Sequence, residues 1–182
     1  MIDERPLPER ARLVFGTVGT DYHPFNRFVE WLDAWCAQQA GTEVRCVVQH
    51  GSSRAPRFAE GHRELPYDDV VALSGAADAV VCQAGPASVA VTRRCGLIPI
   101  VLPRTSSLGE HVDDHQVAFA NRLSATGHAI SVGTADELAL ILDQALTDDT
   151  RLRLEDDASA ASVGATVERF ARIADALLEQ SD

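Results

Sequence analysis

The sequence has no lysine: all 16 of its basic residues are arginine. A lysine-dependent P-loop, a pyridoxal Schiff base and a kinase-type catalytic lysine are therefore excluded. Basic charge is scarce altogether, with 27 acidic residues and a net charge of −11. So acidic a chain has little with which to neutralise phosphates, and nucleic acid is not an expected partner. No C-x-x-C pair occurs among Cys36, Cys46, Cys82 and Cys95, which argues against a structural zinc site. Cys46 and Cys82 fall in apolar runs and read as buried thiols of a reduced, cytoplasmic protein. No apolar run is long enough to span a bilayer. The opening MIDERPLPERAR is charged and proline-broken, unlike a signal peptide. Internal repeats, low-complexity tracts and an interdomain linker are also missing.

What is present is an alternation of periods. At 182 residues, 46% hydrophobic, the chain has the size and composition of one domain with a good core. Apolar runs at 13–18, 44–49, 78–83, 97–102 and 129–132 read as strands, with a short one at 62–66. Between them, 25–40, 68–76, 86–95, 114–126 and 135–146 read as helices, followed by a last helix at 163–179. In the first helix Phe25, Phe28, Val29, Leu32, Trp35 and Cys36 form one stripe, and Gly41 stops it. Residues 1–11 read as a tail and 12–182 as a single domain. Strands alternating with helices imply an α/β fold: a Rossmann-like parallel sheet with helices on both faces.

In such a sheet ligands bind beyond the carboxyl ends of the strands, so the residues after each strand carry the interest. Three segments stand out. In Gly16-Thr17-Val18-Gly19-Thr20, two glycines let backbone N–H groups approach an anion; the same pattern also suits a plain tight turn. It is not G-x-G-x-x-G, so a dinucleotide is not implied. In Gln83-Ala84-Gly85-Pro86-Ala87-Ser88, a helix opens with proline in its first turn. Its free N–H groups suit a diphosphate, or Ser88 satisfies one of them in an ordinary turn. The third segment, 103–116, is long, polar and dense in titratable groups, as binding loops are. His111 and His115 are four apart, but the helix start falls between them and no third ligand is evident, so no metal is expected. Asp113-x-x-Gln116 has capping-box spacing, so Gln116 closes the helix, presents its amide to a ligand, or does both. Gln and His side chains donate and accept and Asp accepts, a set that suits a sugar beside a diphosphate.

The motifs VFGTVGT at 14–20, AGPASV at 84–89 and GEHVDDHQ at 109–116 together resemble the C-terminal domain of family 28 glycosyltransferases. The likeness extends over about residues 12 to 146 and is nearest to small single-domain subunits. These are subunits of bacterial exopolysaccharide glycosyltransferases and of the dolichol-diphosphate N-acetylglucosaminyltransferase. The resemblance implies the donor-binding half of a GT-B fold acting as a hexosyltransferase on a nucleotide-sugar, chiefly a UDP-sugar. It implies donor diphosphate contacts at Gly85, Pro86, Ala87 and Ser88, and donor sugar contacts at Asp114, His115 and Gln116. It places Gly16, Thr17, Gly19 and Thr20 at a phosphate-facing cleft loop, and His50 and Gly51 near the base and phosphates. His111 is the candidate catalytic residue; it and His50 are alternatives for a general base, or else positioning residues.

One position departs from the family pattern. A glutamate that holds the ribose hydroxyls is expected six residues after Gly85, and Val91 stands there. Arg93 and Arg94 nearby are possible compensations. A GT-B enzyme needs two facing domains, and one half-fold fits in this length. The expected partner is therefore a membrane-anchored subunit carrying the half that binds a lipid-linked or polysaccharide acceptor, with this chain cytoplasmic and recruited to the membrane. No cofactor beyond the nucleotide-sugar substrate is expected. The alternative is an inactive nucleotide-sugar-binding or assembly subunit, which Val91 favours.

Overall fold

A computed structural model describes residues 12–147 and 152–154. The expected tail at 1–11 and last helix at 163–179 lie outside the described residues. Six strands form one sheet: β1 (Arg12–Thr17), β2 (Val44–Gln49), β3 (Glu60–His62), β4 (Ala79–Gln83), β5 (Ile100–Leu102) and β6 (Ile130–Ser131). Five helices alternate with them: α1 (Asn26–Gln38), α2 (Tyr67–Ala76), α3 (Pro86–Arg94), α4 (His115–Ala125) and α5 (Ala135–Thr147). The strand order is β3-β2-β1-β4-β5-β6 and every pair of named strands is parallel. The chain reverses its direction of strand addition between β1 and β4, which opens a crevice there.

The sheet is covered on both faces, which is why its strands read as continuous apolar runs rather than alternating ones. Side chains still alternate by face. Val14, Val48, Val81, Ile100 and Leu102 pack with α1 and α5, through Phe28, Leu32, Trp35, Leu138 and Leu142. Leu13, Phe15, Val47 and Val80 face the other way, towards Leu73 of α2. Cys82 and Val101 meet Val89 of α3 and Ala120 of α4. Each fully buried large side chain contributes about 2 kcal/mol by leaving water. Trp35 also donates its Nε1 proton to Asp143 at 2.9 Å, tying α1 to α5. Cys46 and Cys82 are buried thiols as expected, and burial pushes Cys82 up to about 12.

Two strands differ from the sequence reading. The expected 97–102 strand begins only at Ile100, because Leu97 and Ile98 pair with the 152–154 segment: Ile98 N donates to Leu152 O at 2.7 Å. The short edge strand lies at Glu60–His62 rather than 62–66, and Arg63 O already accepts from Gly51 N at 3.0 Å. The long 50–61 connection is held down by α1. Asp33 accepts from the N–H groups of Arg57, Phe58 and Ala59 at 2.8–3.0 Å, and Asn26 accepts from Arg54 N at 2.9 Å.

Candidate donor site at the mouth of the sheet

The crevice brings two of the sequence motifs into contact. After β1 the chain turns at Gly19, whose φ of +72° is the left-handed conformation glycine adopts without strain. A Cβ there would stand 2.1 Å from Gln83 Nε2, so any other residue would have to displace the Gln83 amide from the end of β4 as well as adopt the left-handed backbone. Thr17 Oγ1 accepts from Gly19 N at 3.1 Å and donates to Gln49 Oε1 at 2.9 Å. Gly16 is different: it lies inside β1, and a Cβ would meet Leu32 of α1 at 2.4 Å. It is a packing glycine under α1 and not part of the cleft loop, which corrects the sequence expectation for that residue.

Across the crevice Gly85 is extended and opens α3, with Pro86 in the first turn and no side chain capping the end. The first N–H groups of a helix have no partner within it, so those of Ala87 and Ser88 remain available. The Ser88 hydroxyl does not take up a backbone donor, as the ordinary-turn reading supposes. It lies 3.5 Å from Gln83 Oε1. Thr17, Gly19, Thr20, Gln49, Gln83, Ala87 and Ser88 line a cavity of about 260 Å³ together with Leu65, Tyr67, Val70 and Val91. No carboxylate of the described residues lines it. Val91 is a wall residue of this cavity, 9% exposed. Gly51 reaches a second cavity of about 180 Å³, shared with Gly19, Thr20, Asp21, Tyr22, Ser52, Arg63 and Glu64. His50 lines neither cavity; its Nδ1 is 3.0 Å from Ser53 O.

The 103–114 loop is arranged by side chains that the sequence reading passed over. Arg104 is fully buried beneath it. Its Nη1 donates to His23 O at 2.7 Å and Glu110 O at 3.2 Å, its Nη2 reaches Val18 O at 3.4 Å, and the guanidinium lies over Phe25. Burial lowers the arginine's pKa, against the opposing charges of Asp21 and Glu110. Glu110 receives two bonds from Arg27, at 2.7 and 2.8 Å, and two from Thr105, at 3.0 and 3.1 Å. Burial raises its pKa, but these donors outweigh burial and hold it below the usual range.

The expected sugar-binding residues lie along this loop and line neither cavity. Asp114 is the first-turn boundary of α4 and accepts from Ser106 N at 2.8 Å. The capping box does not form. Asp113 accepts from His115 N at 3.0 Å, while Gln116 is buried and accepts from Arg104 N at 3.2 Å. His115 is half exposed, with its Nδ1 on Asp113. His111, the candidate catalytic residue, is largely buried between Asp21 and Asp113, with its ring against those of His23 and His115. Asp21, His23, Arg27 and Arg104 are the residues that sequence reasoning missed. The signal for Arg104 was an arginine next to a strand end in a lysine-free, acidic chain.

Six parallel strands in this order, with a glycine turn packed on the end of β4 beside an uncapped helix start at the switch point, define a Rossmann-like half of the GT-B type. The model of the Glycosyltransferase family 28 C-terminal domain matches residues 13–177, and the chain belongs to that family. A relative in Pseudomonas putida (strain GB-1), 31% identical over 154 residues, covers 79% of this chain and 41% of its own length. It is a UDP-N-acetylglucosamine--N-acetylmuramyl-(pentapeptide) pyrophosphoryl-undecaprenol N-acetylglucosamine transferase. The enzyme of that name from Cupriavidus necator is 34% identical over 112 residues, 61% of this chain and 30% of the relative. The chain thus spans less than half of either relative. Among solved structures, the glycosyltransferase of kitacinnamycin superposes with a TM-score of 0.60 at 21% identity, over 78% of this chain and 36% of that one. MurG of Acinetobacter baumannii does so with a TM-score of 0.50 at 18% identity, over 83% and 44%. No helix among the described residues is long and apolar enough to cross a membrane.

Proposed function

We propose that this chain is the donor half of a hexosyltransferase. It binds a nucleotide-sugar, a UDP-sugar, with the diphosphate at Gly85–Ser88 and the Gly19–Thr20 turn. The observation that carries the reading is the 260 Å³ cavity closed between that turn and the start of α3. Two named relatives use a UDP-sugar on a lipid-linked acceptor, which supports the donor class and a lipid-linked or polysaccharide acceptor here. Departure of the nucleotide places negative charge on its diphosphate, and the positive end of α3 stabilises it there. Asp114, His115 and Gln116 read the sugar hydroxyls. The acceptor site and the second wall of the cleft come from a partner subunit anchored at the membrane. His111, held by two carboxylates, serves as base or as a positioning residue.

A second reading is an inactive binding or assembly subunit. The observation favouring it is the apolar wall of Leu65, Val70 and Val91, which offers no carboxylate to ribose hydroxyls. Leaving those hydroxyls without an acceptor costs about 1–3 kcal/mol, so Gln49 and Thr20 have to supply what a glutamate would. Calorimetry of the chain with a panel of UDP- and other nucleotide-sugars, and turnover assays with and without a co-expressed partner, separate the cases. Donor binding with turnover only in the presence of the partner supports the first reading. Donor binding without turnover in either state supports the second, and absence of donor binding overturns the donor half itself.

A further inference from the structure

The geometry points to a divalent metal site of the zinc class on the H-x-D-x-H stretch, built by His111 Nδ1, Asp113 and His115 Nδ1. This goes beyond the donor reading: with the ion bound, His111 is a positioning residue rather than a base, and His115 meets the sugar through Nε2 alone. His111 Nδ1 is buried and has no hydrogen-bond partner. A buried ring nitrogen left in that state is costly, and it asks for a ligand. The nearest acidic group is Asp113 Oδ1 at 3.7 Å. That is too long for a hydrogen bond. It is close to the separation of two donors that share one metal through bonds of about 2.0–2.2 Å. His115 Nδ1 contacts the same Asp113 oxygen, and one donor atom from each of the three residues lies within 4.8 Å of the others.

The opposite edge of the His111 ring supplies an independent argument. Its Nε2 faces Asp21 Oδ2 at 3.4 Å. A carboxylate at one ring nitrogen holds the proton there and leaves a lone pair on the other, the arrangement found behind metal-bound histidines. Asp21 is itself fixed, accepting from His23 N at 2.7 Å. Two imidazoles and a carboxylate are the donor set of zinc-type ions, with a fourth position left for water. The sequence reading already has the helix start between His111 and His115; what spacing alone does not show is Asp113 as the third donor. The helix begins at His115, so His111 approaches from a loop and Asp113 stands between them.

The whole chain, stripped with chelator, is titrated with Co²⁺ as the optical probe and then with Zn²⁺ in competition. A Cys95→Ser background removes the one cysteine that is not buried. The expected result is one ion per chain, a d–d band without thiolate charge transfer, and a rise in melting temperature with Zn²⁺. Asp113→Asn, at an exposed position that does not threaten the fold, lowers the affinity by about tenfold or more and removes the melting shift. His111→Ala abolishes binding, and Asp21→Asn weakens it by about 10–100-fold. Absence of saturable Co²⁺ binding, or binding that survives either Asp113→Asn or His111→Ala unchanged, overturns the site.

Discussion

Two loops share the mouth of the sheet and are held in opposite ways. The β1 and β4 ends meet through what is missing: Gly19 has no Cβ, and α3 has no cap, so a cavity opens between them. The β5 end is filled. Arg104 and Glu110 bind three backbone carbonyls, Arg27 and Thr105. Backbone makes the first region and a charged side-chain network makes the second. The difference teaches that ligand chemistry and loop order are separable here, so substitutions should affect one without the other.

The largest effect is expected at Arg104. Arg104→Ala strands the buried carbonyls of His23, Glu110 and Val18 and removes the positive charge that faces Asp21. It should cost about 3–5 kcal/mol, read in denaturant melts. Next is Gly19→Ala, which combines left-handed backbone with a 2.1 Å approach to Gln83. The backbone alone costs about 1–2 kcal/mol, and displacing Gln83 adds to it. Gly41 is the control: its φ is +87° and a Cβ there meets nothing, so Gly41→Ala should show the backbone cost alone. Gln116→Ala removes one buried hydrogen bond to Arg104 N and should cost about 1 kcal/mol. If Gln116 also reads the sugar, that variant weakens the intact nucleotide-sugar more than the bare nucleotide diphosphate; equal weakening of both would assign it to loop support.

The smallest effect is a pH dependence. The folded-state pKa of Glu110 lies below its ordinary 4.5. Its contribution to stability is therefore complete above about that pH and is lost as pH falls through the lower folded value. Glu110→Gln should be less stable at neutral pH yet show a flatter acid limb, measured by melting temperature between neutral pH and the acid transition.

The same division explains what could be read from the sequence. The strand–helix order was legible because both-face burial produces long apolar runs and α1 shows an unbroken stripe. Gly19 and Gly85–Ser88 were legible because backbone sites advertise themselves through glycine and proline. Gly16 was misassigned by the same rule, since a strand glycine that admits Leu32 looks like a turn glycine in one dimension. The β5 loop network was hidden because its partners are distant in the chain. Arg27 and Glu110 are 83 residues apart, and Arg104 and Val18 are 86. Gln116 looked like a cap because spacing cannot show that Arg104 N competes for its oxygen.

The central claim is that the donor diphosphate sits at the start of α3. Ser88→Asp tests it most directly, because an acid in the first turn favours the helix by about 0.3–1 kcal/mol while repelling a diphosphate. UDP binding by calorimetry and the melting temperature are measured on the same preparation. The account predicts a melting temperature that is unchanged or raised, together with a loss of UDP affinity of about a hundredfold or more. A Ser88→Asp variant that binds UDP as tightly as the parent chain would contradict it.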